Sequence, residues 1–419
     1  MPRPELMAIG DSIYNGVRSL MIDRTLAAWS VPAQVAAAFG WTFVSPDYPR
    51  PVLADVEQMF RDPIELLDFH RIAMTNASQW LDGGQWSTQP LFHNLSIAQQ
   101  VVNDIGTANF ADSWTAAKQL LAQGDALPLT QFPVLYQAIN TCFVLNPEQT
   151  PGDDRTAIDI LAEAKPKRLM VNIGINNGLW SLLLLADPDD FQKRLDPTSD
   201  MKVLAGRLAE DCPDIEYFYV NLFPKPSAIA NLASRMDDDM PSGGYYDKYI
   251  SRLIGTGGIA RAKMKEIDDW VHDTLNPRIK AAFAPLGHRV HFVDLYAQTA
   301  AYDWKSRIFT KQILVNHDGT QVLIDNAPLE ALPFGGRLDG GMFGLDNLHP
   351  SIPGYGVIAE AVCDTIAITE GVVAPTIDLQ KCFDADSLLH DLPGTLVFTD
   401  FLLDIVGSFI DINSLDATA

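Results

Sequence analysis

Cysteine is scarce and scattered in this 419-residue chain: Cys142, Cys212, Cys363 and Cys382 lie far apart and form no CxxC pair. That spacing builds neither a zinc knuckle nor a dithiol redox motif, so four buried free thiols are expected. Basic residues are also few, 30 Lys and Arg against 53 Asp and Glu, for a net charge of −23. Such a surface repels phosphate backbones and anionic headgroups, which argues against nucleic acid as a partner and leaves a small molecule. Long apolar runs are missing too. The longest, LWSLLLLA at 179–186, falls well short of the ~20 residues a bilayer span needs, so no stable membrane insertion is expected. No charged segment and apolar core precede Gly10, so no signal peptide is expected, and the chain reads as cytoplasmic or as the mature form of an exported protein. Repeats and low-complexity tracts are absent, and the 47% hydrophobic content suits a chain folded throughout.

What is present alternates between strand and helix signals. ELMAIG (5–10) reads as a first strand and VPAQVAAAFG (31–40) as a helix ending at its glycine, with WTFV (41–44) a short strand. Residues 41–90 look like an elaborated connection. LFHNLSIA (91–98) alternates as a second core strand, and QQVVNDI opens a helix. KPKRLMVNIGINN (165–177) leads into a strand that stops at Gly174. MKVLAGRLAE is helical, DIEYFYVNLFP (214–224) and HRVHFVDLYA (288–297) are strands, and ILVNHDGTQVLID (313–325) is a hairpin about Asp318-Gly319. PGYGVIAEAVCDTIAI (353–368) closes the series as a helix. Strands alternating with helices predict an α/β protein with a parallel sheet.

The stretch MAIGDSIYNG (7–16) delivers Asp11 and Ser12 at the end of the first strand. Either residue can cap the helix that follows; a serine at the carboxyl end of a parallel strand is also where an open α/β sheet places a nucleophile. Three further stretches bear on the choice. In GLDNLHPSIPGYG, Asp346 and His349 stand three residues apart, a spacing that lets a carboxylate orient an imidazole whose other nitrogen faces a serine. NIGINN leaves Asn176 at a strand end, where its amide can donate to a developing oxyanion. HNLSIAQQ ends another strand, where a backbone N–H is a candidate second donor.

Together these motifs resemble the SGNH, or GDSL-type, serine esterases and lipases. GDS at 10–12 matches the nucleophile motif, GINN at 174–177 the G-x-N-D motif and DNLHP at 346–350 the D-x-x-H motif. NLSIAQQ at 94–100 looks like the stretch that carries an oxyanion glycine. The resemblance implies a three-layer α/β/α, flavodoxin-like domain over residues 1–370, with insertions at about 41–90 and 225–285 and a C-terminal helical extension at 371–419. It makes Ser12 the nucleophile, His349 the base and Asp346 its orienter. The oxyanion donors would be Asn176 and the N–H groups of Ser12 and Gln99, with Asp11, Gly174 and Asn177 in support. Two positions depart from the family pattern: Gln99, or in the alternative alignment Ala98, stands at the glycine, and Asn177 at the aspartate. The reaction implied is hydrolysis of a carboxylic ester through an acyl-Ser12, with neither metal nor cofactor. A carbohydrate O-acetyl esterase, an acyltransferase, or a silent binding protein on the same fold are the alternatives, and a Gln99 side chain filling the oxyanion hole would favour the last.

Other signals carry weaker expectations. GTGGIA (255–260) fits G-x-G-x-x-A, but YYDKYISRLI before it reads as a helix where a dinucleotide site needs a strand. His288 and His291 fall on opposite faces of a strand, which argues against a shared metal. MDDDM (236–240) reads as a solvated acidic loop in preference to a calcium site. LWSLLLLA either lines an acyl pocket or forms a buried helix. Phe398, Leu402, Ile405 and Phe409 form a helical stripe that packs on the body or covers a site. Trp80 and Trp86 either anchor packing or stack on sugar rings.

Overall fold

A computed structural model describes residues 3–62, 65, 68–82, 86–178, 197–229, 232–234, 242–251, 259–329 and 340–393. Four parallel strands form the central sheet: β1 (Leu6–Gly10), β2 (Arg168–Asn172), β3 (Tyr217–Asn221) and β4 (Val290–Val293), side by side in that order. β1 and β2 are buried at every position, as expected of strands covered on both faces. The helices Val31–Phe39 and Ile352–Glu370 pack on each other, the first also against β1 and the second against β3 and β4. The helix Thr198–Asp211 packs on Ala157–Ala164 and Asn276–Ala282.

Residues 91–98 run beside β1 in the expected direction, with Ala8 N–H donating to His93 O and the N–H groups of Leu95 and Ile97 to Ala8 O and Gly10 O. They form one isolated parallel bridge, Ala8 to Asn94, and no regular strand. WTFV makes no strand either. Its last residue exchanges hydrogen bonds with His93 alone, and Trp41 stacks on Phe39. The helix expected after Gln100 is a five-residue 3₁₀ turn, Val102–Gly106. The described part of YYDKYISRLI, 245–251, is not helical: Lys248–Ser251 is the middle strand of a small antiparallel sheet with Leu232–Ser234 and Ile259–Ala260. Antiparallel pairing still gives no dinucleotide-binding context, and 255–258 lie outside the described residues. The hairpin forms as read, Ile313–His317 against Thr320–Ile324.

The described residues of the insertion at 41–90 include the helices Val56–Arg61 and Phe69–Leu81. Trp80 and Trp86 are buried and pack edge to face, so neither offers a ring to a sugar. The helices Phe110–Leu121 and Phe132–Leu145 pack together beneath this insertion, and the sequence reading had not singled them out. After residue 371 come two short helices, Leu379–Asp384 and Ser387–His390. LWSLLLLA, MDDDM and the stripe from Phe398 to Phe409 lie outside the described residues. All four cysteines are buried and unpaired. One described helix, Ile352–Glu370, is long and apolar enough to cross a membrane; most of it is buried in the protein.

Candidate active site

The strands β1, β2 and β3 stop at Gly10, Asn172 and Asn221, bringing their carboxyl ends to one edge of the sheet, the general location of ligand sites in open α/β sheets. Gly10 is obligatory there: a Cβ would sit 2.3 Å from Asn172 O. Asp11 then caps the helix Ser12–Asn15 by accepting from Ile13 N–H through Oδ1. Asp11 is the cap, and Ser12, the first helical residue, turns its Oγ to His349 Nε2 at 2.9 Å.

His349 is aimed by the loop before the last long helix. Phe343 and Pro350 form an antiparallel bridge, with Gly344 N–H donating to His349 O inside it. Asp346 closes this loop on itself: Oδ1 accepts from the N–H groups of Leu348 and His349, and Oδ2 accepts from His349 Nδ1 at 2.7 Å. A carboxylate can only accept, so the proton sits on Nδ1 and Nε2 is left to accept from Ser12. Burial alone would raise the Asp346 pKa. The neighbouring His349 and the hydrogen bonds from His349 and Leu348 outweigh it and hold the carboxyl below its usual range.

Asp346 Oδ2 has a second donor the sequence did not announce. Leu20 N–H reaches it at 3.0 Å. Leu20 and Ser19 lie in a two-residue turn closed by hydrogen bonds both ways between Arg18 and Met21, with φ of 62° and 52°. Left-handed backbone at two consecutive positions normally falls to Asn-Gly, so nothing in Ser-Leu would have suggested it.

The expected oxyanion residues surround Ser12. Gln99 has φ 70°, the left-handed conformation that glycine adopts without cost, so a side chain stands where the backbone still follows a glycine's path. The N–H groups of Ser12 and Gln99 donate to no partner among the described residues. Gln99 is half-buried. With Ser12, His349, Leu20 and Tyr136 it lines a small pocket with room for about one water molecule. The Tyr136 hydroxyl is buried without a hydrogen-bond partner.

Asn176 follows Gly174, whose φ of 113° would strain any residue carrying a Cβ. Asn176 Nδ2 donates to Gln100 O at 2.9 Å, which uses one of its two protons. Asn177, the departure from aspartate, accepts from Val102 N–H at 3.2 Å, so its amide oxygen ties this loop to the Gln99 segment.

Beneath the site a chain of buried polar groups links the strand ends. Asn172 donates to Asp11 Oδ1, Asn221 donates to Asn172 Oδ1, and Tyr14 O–H donates to Asn221 Oδ1. Both asparagines close their strands after a valine, a repeated signal that alignment of the two strand ends would have revealed. Burial pushes the Asp11 carboxyl up to about 7 against the hydrogen bonds from Ile13 and Asn172, and its Oδ2 has no hydrogen-bond partner.

On its other side Ser12 faces a cleft walled by Ile175, Ile229, Leu295, Met342, Phe343 and Val357, among others. Its polar lining is largely committed elsewhere. Lys225 Nζ pairs with Asp303, Thr299 Oγ1 bonds to Leu295 O and Lys225 N–H, and Asn172 is bonded through both ends of its amide. No group of three or more His, Cys, Asp or Glu suited to a metal ion occurs among the described residues. His291 packs against the rings of Tyr217 and Tyr219, which stack on each other. No family model, curated protein or solved structure matches the chain.

Proposed function

We propose that this chain is a serine hydrolase of carboxylic esters, of the SGNH or GDSL type, on a three-layer α/β/α fold. The observation that carries the reading is the continuous relay from Asp346 Oδ2 through His349 to Ser12 Oγ, with contacts of 2.7 and 2.9 Å. In the forward step Ser12 Oγ attacks the ester carbonyl carbon and passes its proton to His349 Nε2. The carbonyl oxygen becomes an oxyanion stabilised by the N–H groups of Ser12 and Gln99 and the second Asn176 amide proton. Collapse expels the alkoxide, which takes the proton from His349, and leaves acyl-Ser12. Water, deprotonated by His349, then attacks the acyl carbon and regenerates the serine.

The cleft supports a hydrocarbon acyl group. Aliphatic walls reward each added methylene, and the committed polar groups leave little to recognise a sugar. Burial of Trp80 and Trp86 withdraws the feature that favoured acetylated carbohydrate.

The test is hydrolysis of p-nitrophenyl esters from acetate to long chains by the wild type and Ser12→Ala. The expected result is wild-type turnover that rises by about fourfold per methylene over the first few carbons and is lost in the variant. Equal rates in both proteins would refute the reading.

A further inference from the structure

Behind Asp346 lies a buried ion cluster drawn from three distant parts of the chain. The Arg18 guanidinium gives Glu57 two hydrogen bonds, at 2.7 and 2.6 Å, and Asp386 one at 2.8 Å. All three side chains are at least 96% buried. Charges are withdrawn from water in this way only when hydrogen bonds satisfy them, and here the bonds lead to the triad. Glu57 also accepts from Ser19 Oγ at 2.8 Å, and Ser19 Oγ accepts from Leu345 N–H at 3.0 Å, one residue before Asp346. Leu20, next in the same left-handed turn, donates its N–H to Asp346 Oδ2. Asp386 Oδ2 accepts from Ile352 N–H, three residues after His349. The packing is as close as the bonding: a Cβ on Gly344 would lie 2.8 Å from both Arg18 Cγ and Ser19 Oγ.

Glu57 belongs to the inserted connection and Asp386 to the segment after the last long helix. The two additions to a minimal sheet protein therefore each supply one carboxylate to the same guanidinium. A cluster serving stability alone would have no reason to contact both flanks of the Asp346–His349 loop or to hold two non-glycine residues left-handed.

We propose that Arg18, Glu57 and Asp386 are positioning residues for the triad. They hold the Ser19–Leu20 turn so that its Leu20 N–H fixes Asp346, and they make the segment after residue 371 a working part of the active site. This rests on the reading of Ser12, His349 and Asp346 as a catalytic triad. The cluster acts only through Asp346, so its removal should matter only while Asp346 can do its work.

The experiment is a double-mutant cycle on p-nitrophenyl butyrate hydrolysis with Asp386→Asn and Asp346→Asn, together with Ser12 labelling by a fluorophosphonate. Asp386→Asn is expected to lower kcat at least about tenfold with KM within about twofold, and to slow labelling by the same factor. In the Asp346→Asn background it should cost less than about twofold, because coupled residues do not add. Ser19→Ala, which leaves the ion cluster intact, should give the same pattern and serves if Asp386→Asn does not fold. Asp386→Glu should recover part of the loss. Equal losses in both backgrounds, or wild-type kcat in folded Asp386→Asn and Ser19→Ala, would overturn the inference while leaving the triad standing. Turnover and labelling that survive in Ser12→Ala would overturn both.

Discussion

Ser12 Oγ and His349 Nε2 meet at 2.9 Å across 337 residues of sequence. Neither side chain reaches the other by chance of a flexible loop. Ser12 starts a capped helix at a strand end, and His349 sits in a loop closed by a bridge and three hydrogen bonds to the Asp346 carboxylate. Both are nearly inaccessible to solvent, at 5% and 2% exposure, so their contact is made in a low-dielectric setting.

Removal of either partner should therefore disable the pair as a unit. Ser12→Ala and His349→Ala are each expected to lower kcat by roughly 10⁴- to 10⁶-fold, and the double variant no further. Additive losses in the double variant would show that the two residues act separately. Ester kinetics on the three proteins checks this.

Asn176→Ala should lower kcat by about 10²- to 10³-fold with little change in KM, the signature of a donor that matters only as the oxyanion forms. The loop itself should persist, because Asn177 still accepts from Val102 N–H. An unchanged kcat, measured on the same ester series, would remove Asn176 from the oxyanion site.

Gln99 keeps a left-handed backbone at a cost of roughly 1–2 kcal/mol for a residue with a Cβ. Gln99→Gly should raise unfolding stability by about 1 kcal/mol and retain turnover, since the N–H stays in place. Gln99→Val should lower both. Urea unfolding and steady-state kinetics on the pair test whether the backbone or the side chain matters at this position.

Asp11 carries a pH signature of its own. Its folded-state pKa of about 7 lies above the unfolded carboxylate value of about 3.9. Between those values the native state binds a proton that the unfolded chain releases, so this contribution falls as pH rises and reaches its full penalty above pH 7. The difference amounts to on the order of 4 kcal/mol. Asp11→Asn keeps an oxygen for Ile13 and Asn172 and removes the ionisation. Its stability relative to wild type should be greater at pH 8 than at pH 5 by several kcal/mol in urea unfolding; equal differences at the two pH values would contradict the assignment.

The parts of the fold legible in the sequence were those fixed by local signals. β1, β2 and β3, the helix 31–39, the Asp318-Gly319 hairpin and the closing helix all carry their own apolar period, glycine stop or turn pair. The Asp346–His349 contact was readable for the same reason: three residues in one loop leave little freedom. The strand at 248–251 was misread because a tyrosine-rich run carries no decisive period, and its partners at 232–234 and 259–260 are distant. The helix bearing Tyr136 carries no catalytic motif, although Gly124-Asp125 before it and Asn146-Pro147 after it mark its bounds. Arg18, Glu57 and Asp386 could not be linked at all, since charged residues 39 and 368 positions apart look like ordinary surface until folding buries them together.

The separation of those residues also bears on synthesis. Arg18 leaves the ribosome 368 residues ahead of Asp386. At about 5–20 residues per second, that is an interval on the order of 20–70 s. Throughout it an unpaired guanidinium and Glu57 are present without the residue that completes their cluster, and Ser12 is present without its histidine for nearly as long. A nascent chain therefore holds Ser12 without the His349 contact for most of that interval, and until Asp386 follows, the Arg18 guanidinium lacks the carboxylate that ties it to Ile352 behind Asp346.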